Sequence, residues 1–179
     1  LYFAGSVDTT ATNGKSGTLL LDPDTITISG GSGTASASAA TSFTTYENIL
    51  EAVASTTNID MLATSSITLG NSLNFAQTSG QSVTFTATTG NISFSDTTDT
   101  IETSGGSIIM NAGGTLSVGA MDTNGGNIAL TGGGTLSVGA MNTGGGDITL
   151  TGDDFTLSGS LNAGTGTFTI LGKSGETIG

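Results

Sequence analysis

Residues 113–132 read GGTLSVGAMDTNGGNIALTG and residues 133–152 read GGTLSVGAMNTGGGDITLTG, identical at 16 of 20 positions. A repeat of this length marks a stacked architecture in which each unit buries its apolar face only against its neighbours. The register extends in both directions. Ile101, Met121, Met141 and Leu161 recur at that spacing, as do Gly106, Gly126, Gly146 and Gly166, and Ile108/Met110 lead to Ile128/Leu130, Ile148/Leu150 and Phe168/Ile170.

Within each unit apolar residues alternate with Ser, Thr or Ala, as in Thr115-Leu116-Ser117-Val118 and Asn127-Ile128-Ala129-Leu130. That is the period of a half-buried strand, not of a helix. Gly113-Gly114, Gly119 and Gly125-Gly126 separate the strands and suit tight corners. Three short strands and three corners in twenty residues predict one coil of a right-handed parallel β-helix, an all-β solenoid of about seven to nine coils. Leu116 is then expected over Leu136, Val118 over Val138, Met121 over Met141 and Ile128 over Ile148, with Thr115, Ser117, Ala129 and Thr131 facing outward. The Leu-x-x-Leu-x-Leu pattern of leucine-rich repeats is absent, and so is the spaced Gly-Gly-x-Gly-x-Asp of calcium-binding nonapeptides.

Upstream the period loosens, yet Ile59-Asp60-Met61, Ile67-Thr68-Leu69, Leu73-Asn74-Phe75, Val83-Thr84-Phe85 and Ile92-Ser93-Phe94 still read as strands of irregular coils, with Asp60 pointing to solvent. Residues 1–28 supply the first strands, around the single proline at Pro23, and Leu1-Tyr2-Phe3-Ala4-Gly5 reads as a native strand end. Residues 29–57 divide into a small-residue stretch and a helix. The stretch SGGSGTASASAATS, residues 29–42, is expected to be an exposed loop that buries almost nothing. Thr44-Thr45-Tyr46-Glu47 reads as a capping box opening a helix over about 45–55, with Ile49, Leu50 and Val53 on the face that covers a coil edge or flank. Residues 58–179 form the main solenoid, clearest over 101–172, and the whole is one structural domain.

Composition narrows function by elimination. Thr, Ser and Gly number 35, 22 and 30 of 179 residues, and 14 acids face only Lys15 and Lys173, a net charge of −12. Such a chain is repelled by phosphate backbones and anionic membranes, so nucleic acid is excluded as a partner. Cys, His, Trp and Arg are all absent, which removes disulfides, thiol nucleophiles, His-based triads and His/Cys zinc sites. No apolar run is long enough for a membrane span.

The candidate chemical groups are few. Asp153-Asp154 is the only adjacent acidic pair, and Asp147 in the preceding turn would join it if paired carboxylates served hydrolysis or held a cation. Asp96, Asp99 and Glu102 form a second acidic run. Solvated corners are the favoured reading for both, so no catalytic, cofactor-binding or metal-ligating residue is expected and no cofactor is implied. Asn91-Ile92-Ser93 matches a glycosylation acceptor only incidentally. Thr25/Thr27, Thr84/Thr86, Thr149/Thr151 and Thr167/Thr169 have the Thr-x-Thr form of ice-binding faces, but the array is expected to break between consecutive coils, as at Ala129/Thr131; β-branched Thr suits any exposed strand.

Two segments carry a family resemblance. Gly17-Thr18-Leu19-Leu20-Leu21-Asp22-Pro23-Asp24-Thr25-Ile26-Thr27-Ile28, preceded by Phe3-Ala4-Gly5-Ser6-Val7-Asp8-Thr9-Thr10, resembles a junction in large bacterial exoproteins of the filamentous haemagglutinin family. Leu50-Glu51-Ala52, Thr56-Thr57-Asn58-Ile59 and Ala63-Thr64-Ser65-Ser66-Ile67-Thr68-Leu69 are similar to the segment that follows it. The resemblance implies a secreted adhesive stalk, exported unfolded through an outer-membrane partner pore and displayed at the cell surface. The absence of Cys suits that route, because an oxidising periplasm could lock the chain before export. No N-terminal secretion domain is seen in these residues. The implied partners are host or surface glycans, the outer-membrane transporter during export, and either further coils of a longer chain or other copies stacked end to end through unpaired strand edges. The alternative functions are a carbohydrate-active β-helix enzyme and an ice- or glycan-binding module using the Thr faces.

Overall fold

The computed structural model describes residues 7–39 and 41–173, so the reading of residues 1–5 as a strand end lies outside the described residues. The fold is a parallel β-helix of three sheets. The longest strands stack as a seven-stranded sheet in the order Thr18–Leu21, Asn58–Ala63, Ser82–Ala87, Ser107–Ala112, Ile128–Gly132, Ile148–Gly152 and Phe168–Gly172. A five-stranded sheet runs through Leu73–Phe75, Thr100–Thr103, Ala120–Asp122, Met141–Asn142 and Leu161–Asn162. The third sheet, of eight strands, starts at Ser36–Ala39 and Ser42–Tyr46. It continues through Thr25–Ser29, Ser66–Leu69, Ile92–Phe94, Leu116–Val118 and Thr135–Val138 to Asp154–Leu157.

The register follows the repeat. Leu116 pairs with Leu136, Val118 with Val138, Met121 with Met141 and Ile128 with Ile148. Inward positions are buried and the alternate ones half-exposed along nearly every strand. Each fully buried aliphatic side chain adds roughly 1.5–3 kcal/mol, which is how a chain poor in apolar residues holds together. Coil length varies along the axis: Ile59, Val83 and Ile108 are paired neighbours, whereas from Ile108 onward partners in the same sheet are twenty residues apart. The longer upstream coils enclose the bulky Phe75 and Phe85, whose rings meet edge to face at 6.3 Å between centroids; the fully buried apolar side chains of the later coils are aliphatic or Met.

Residues 29–42 depart from the expected loop. Ser36–Ala39 forms a strand antiparallel to Ser42–Tyr46, which pairs in parallel with Thr25–Ser29. Ala35 and Phe43 are buried. The Ala/Ser alternation conceals strand periodicity, because both residue types are small enough for either face.

The capping box also fails. Tyr46 is the N-cap, extended and without a side-chain cap bond, and the helix spans only Glu47–Glu51. Pairing with Thr25–Ser29 holds residues 42–46 extended, so Thr44 and Thr45 are strand residues. Glu47 bonds the backbone N–H of Gly31 at 2.7 Å and the side-chain amide of Asn71. The covering role is observed: Ile49, Leu50 and Val53 are buried and the helix packs beside Leu73–Phe75. The helix thus covers the first strand of the five-stranded sheet. At the far end of the solenoid Leu157 and Phe168, on inward register positions, are 43% and 44% exposed.

Candidate functional site

Polar side chains in this solenoid mostly bond from one coil to the next. Asn127 Oδ1 accepts the N–H of Asp147 at 2.8 Å, and Asp147 Oδ1 accepts that of Thr167 at 2.7 Å. Ser107 Oγ accepts from Asn127 N, and Asn91 Oδ1 from Thr115 N. A second column was not read from the sequence. Thr103, Thr123 and Thr143 point inward and are buried, each hydroxyl donating to the carbonyl three residues ahead, at Gly106, Gly126 and Gly146. Extending the alternation two residues beyond Ile101, Met121 and Met141 would have located them.

The structure does not assemble the acidic candidates. Asp147 and Asp153 flank the strand Ile148–Gly152 at opposite ends, a separation of roughly 20 Å at ordinary strand rise, so Asp147 does not join the Asp153-Asp154 pair. Asp96 caps its own turn, accepting from Thr98 N at 2.9 Å and Thr98 Oγ1 at 2.8 Å. These bonds, the backbone one foremost, hold its carboxyl below the ordinary value. Asp99 accepts from Ser72 Oγ at 3.3 Å. Among the described residues no three acids stand close enough to hold a metal ion, and no helix is long and apolar enough to cross a membrane.

The Thr pairs separate by sheet. On the seven-stranded sheet Asp60, Thr84, Ile109, Ala129, Thr149 and Thr169 occupy successive equivalent positions, so the array breaks as expected. The eight-stranded sheet differs: Thr44, Thr27, Thr68, Ser93, Ser117, Ser137 and Thr156 follow one another in register over seven strands. The unequal upstream coil lengths hide this column from a search at constant period.

A concavity lies on the outer face of the five-stranded sheet, whose strands are the shortest. A cleft of about 270 Å³ runs past Glu102, Asp122, Asn142 and Asn162. A second, of about 310 Å³, shares Thr100 and Glu102 with it and reaches Glu47 and Glu51 beside the helix. The polar side chains form one column in strict register, Asn74–Glu102–Asp122–Asn142–Asn162. Asn142 donates to Asp122 Oδ2 at 2.9 Å, and Asn162 to Asn142 Oδ1 at 3.2 Å. No protein-family model, curated protein or solved structure matches this chain.

Proposed function

We propose that this chain is a structural and adhesive segment of a secreted bacterial cell-surface exoprotein, a length of rigid β-helical stalk of the kind its sequence resembles. The observation that carries the reading is the unbroken coil-to-coil register of the seven-stranded sheet, which runs from Thr18–Leu21 to Phe168–Gly172 along one axis. Each coil templates the next, so the form extends along one axis and needs no ligand to hold it. Of the candidate carboxylates, Asp147, Asp96 and Asp99 are bonded to donors of their own turns and neighbouring coils, and the Asp153-Asp154 pair has no third acid beside it among the described residues, which favours a scaffold over a hydrolase or lyase.

The test is export and display. The chain is grafted behind the secretion domain of a two-partner exoprotein in place of that protein's own stalk repeats. Partner-dependent appearance at the cell surface, in a protease-resistant form, is the expected result. Retention inside the cell, or export as a protease-sensitive chain, overturns the stalk reading. A second reading rests on the hydroxyl column from Thr44 to Thr156: a flat surface-binding face, for which thermal hysteresis in the presence of ice is the direct assay.

A further inference from the structure

We infer that the cleft along the five-stranded sheet binds a linear, uncharged, β-linked polysaccharide, about one sugar ring per coil. The inference rests on the adhesive part of the proposed function and gives it a ligand class. Three features of the cleft lead to it.

The first is its shape. The two clefts share Thr100 and Glu102 and follow one another along the register of the sheet, parallel to the solenoid axis, so a ligand laid along the polar column would pass through both. From Asn74 to Asn162 that path crosses five strands, roughly 19 Å. Ala120 and Ala140 line it beside the polar column, and their small side chains leave room for a ligand to lie along the sheet.

The second is its chemistry. Amide and carboxylate side chains each present two polar atoms, which match the neighbouring hydroxyls of a sugar ring. Asn142 and Asp122 are oriented in advance by the bonds running from Asn162 to Asn142 to Asp122, so little freedom is lost on binding. Glu102 has no hydrogen-bond partner among the described residues and stands exposed between Asn74 and Asp122.

The third is its period and charge. The polar groups recur once per strand spacing, close to the advance per ring of a β-linked pyranose chain. Its rings alternate in orientation but carry hydroxyls on both edges, so every ring can meet a polar group, whereas an extended peptide repeats its same-side groups only every second residue. Glu47, Glu51, Glu102 and Asp122 line the groove and no Lys does. A uronate or sulfated chain would therefore meet repulsion.

Isothermal titration of the full chain with cello- and N-acetylchito-oligosaccharides of two to six rings, and with an oligouronate of the same length, tests this. Affinity is expected to rise with length up to about five rings, the number of strands crossed. Ala140→Phe, an exposed position that fills the groove, and Asn142→Ala are each expected to weaken binding by about tenfold or more, with the circular dichroism unchanged. Ala120→Phe serves as the second blocking variant should either alter the fold. No binding of either neutral series, binding indifferent to Ala140→Phe and Ala120→Phe alike, or tighter binding of the uronate overturns the inference. Each of those outcomes leaves the export test of the stalk untouched, so the two failures are distinguishable.

Discussion

Asp147 Oδ1 accepts the backbone N–H of Thr167, 2.7 Å away and one coil further along the solenoid. The carboxylate thereby serves as a coil-to-coil clamp, in the place where Asn127 holds Asp147 itself. An amide oxygen would serve equally. Asp147→Asn is expected to leave thermal stability unchanged, while Asp147→Ala, which abandons an exposed donor that water can partly satisfy, lowers it by about 1 kcal/mol. Denaturant titration of both variants decides the matter: an equal loss in the two would mean that the charge, not the acceptor, is what matters.

The inward threonines are less forgiving. Thr123 is fully buried and its hydroxyl is bonded to the Gly126 carbonyl, so Thr123→Val keeps the shape and removes the partner of a buried acceptor. The expected cost is about 1–3 kcal/mol. Thr131→Val, on the outward face of the same coil, should stay within about 0.5 kcal/mol of the parent. Comparable losses at the two sites would show that the inward bond contributes nothing particular.

How far the fold was legible depended on what the sequence repeats. Leu116, Val118, Met121 and Ile128 announced their partners because identical residues recur at a constant interval and only one register keeps all of them inside. Thr103, Thr123 and Thr143 went unread because polar side chains default to the outer face; a bond to a corner carbonyl, invisible in sequence, makes their burial possible. The strand at Ser36–Ala39 was hidden for the opposite reason, since Ala and Ser declare no side. The groove lay in plain view as Glu102, Asp122, Asn142 and Asn162 at the repeat interval. Its concavity, however, is set by the three-dimensional packing of the coils, which no residue pattern announces.

Two neighbouring glycines separate close approach from backbone conformation. At Gly126 a Cβ would overlap the carbonyl of Gly106 in the coil below, with only backbone in the way. Gly125 has φ of 117° and open space where its Cβ would point. Gly125→Ala is expected to cost about 1–2 kcal/mol through strain alone. Gly126→Ala must push two coils apart and should cost about 3 kcal/mol, at the upper end of overpacking losses. A larger loss at Gly125, measured by chemical denaturation, would refute the close-approach account.

Asp8 and Asp96 share a local device: each opens an Asp-x-Thr turn and accepts both the N–H and the hydroxyl of the Thr two residues on. Their carboxyls lie below the ordinary value, through the hydroxyl first at Asp8 and the backbone N–H first at Asp96. A lowered native value contributes stability that is present above the unfolded-state pKa and is lost as pH falls through the native one. Both groups are fully exposed, so the effect belongs to the turn and not to the fold. Carbon-detected titration should place the Asp96 midpoint below that of an unfolded peptide, and Thr98→Val should move it only part of the way back, because the backbone donor remains. A midpoint unmoved by Thr98→Val would exclude the hydroxyl as a cause.

The two ends of the solenoid make opposite predictions. Leu50, on the covering helix, is wholly buried, so Leu50→Ala should cost about 2–5 kcal/mol. Phe168 occupies the equivalent of the Ile148 position in the next coil but is 44% exposed. Its replacement by Asp should change stability little, since nothing stacks over the ring among the described residues. What it should change is association. Leu157, Phe168 and Leu171 expose apolar surface on terminal strands that have a neighbour on one side only among the described residues, a combination that promotes pairing with other chains. Sedimentation at rising concentration should show self-association in the parent chain and markedly less in Phe168→Asp. Equal association in the two would place the sticky surface elsewhere, with Leu20, 57% exposed on the strand Thr18–Leu21, as the next position to change.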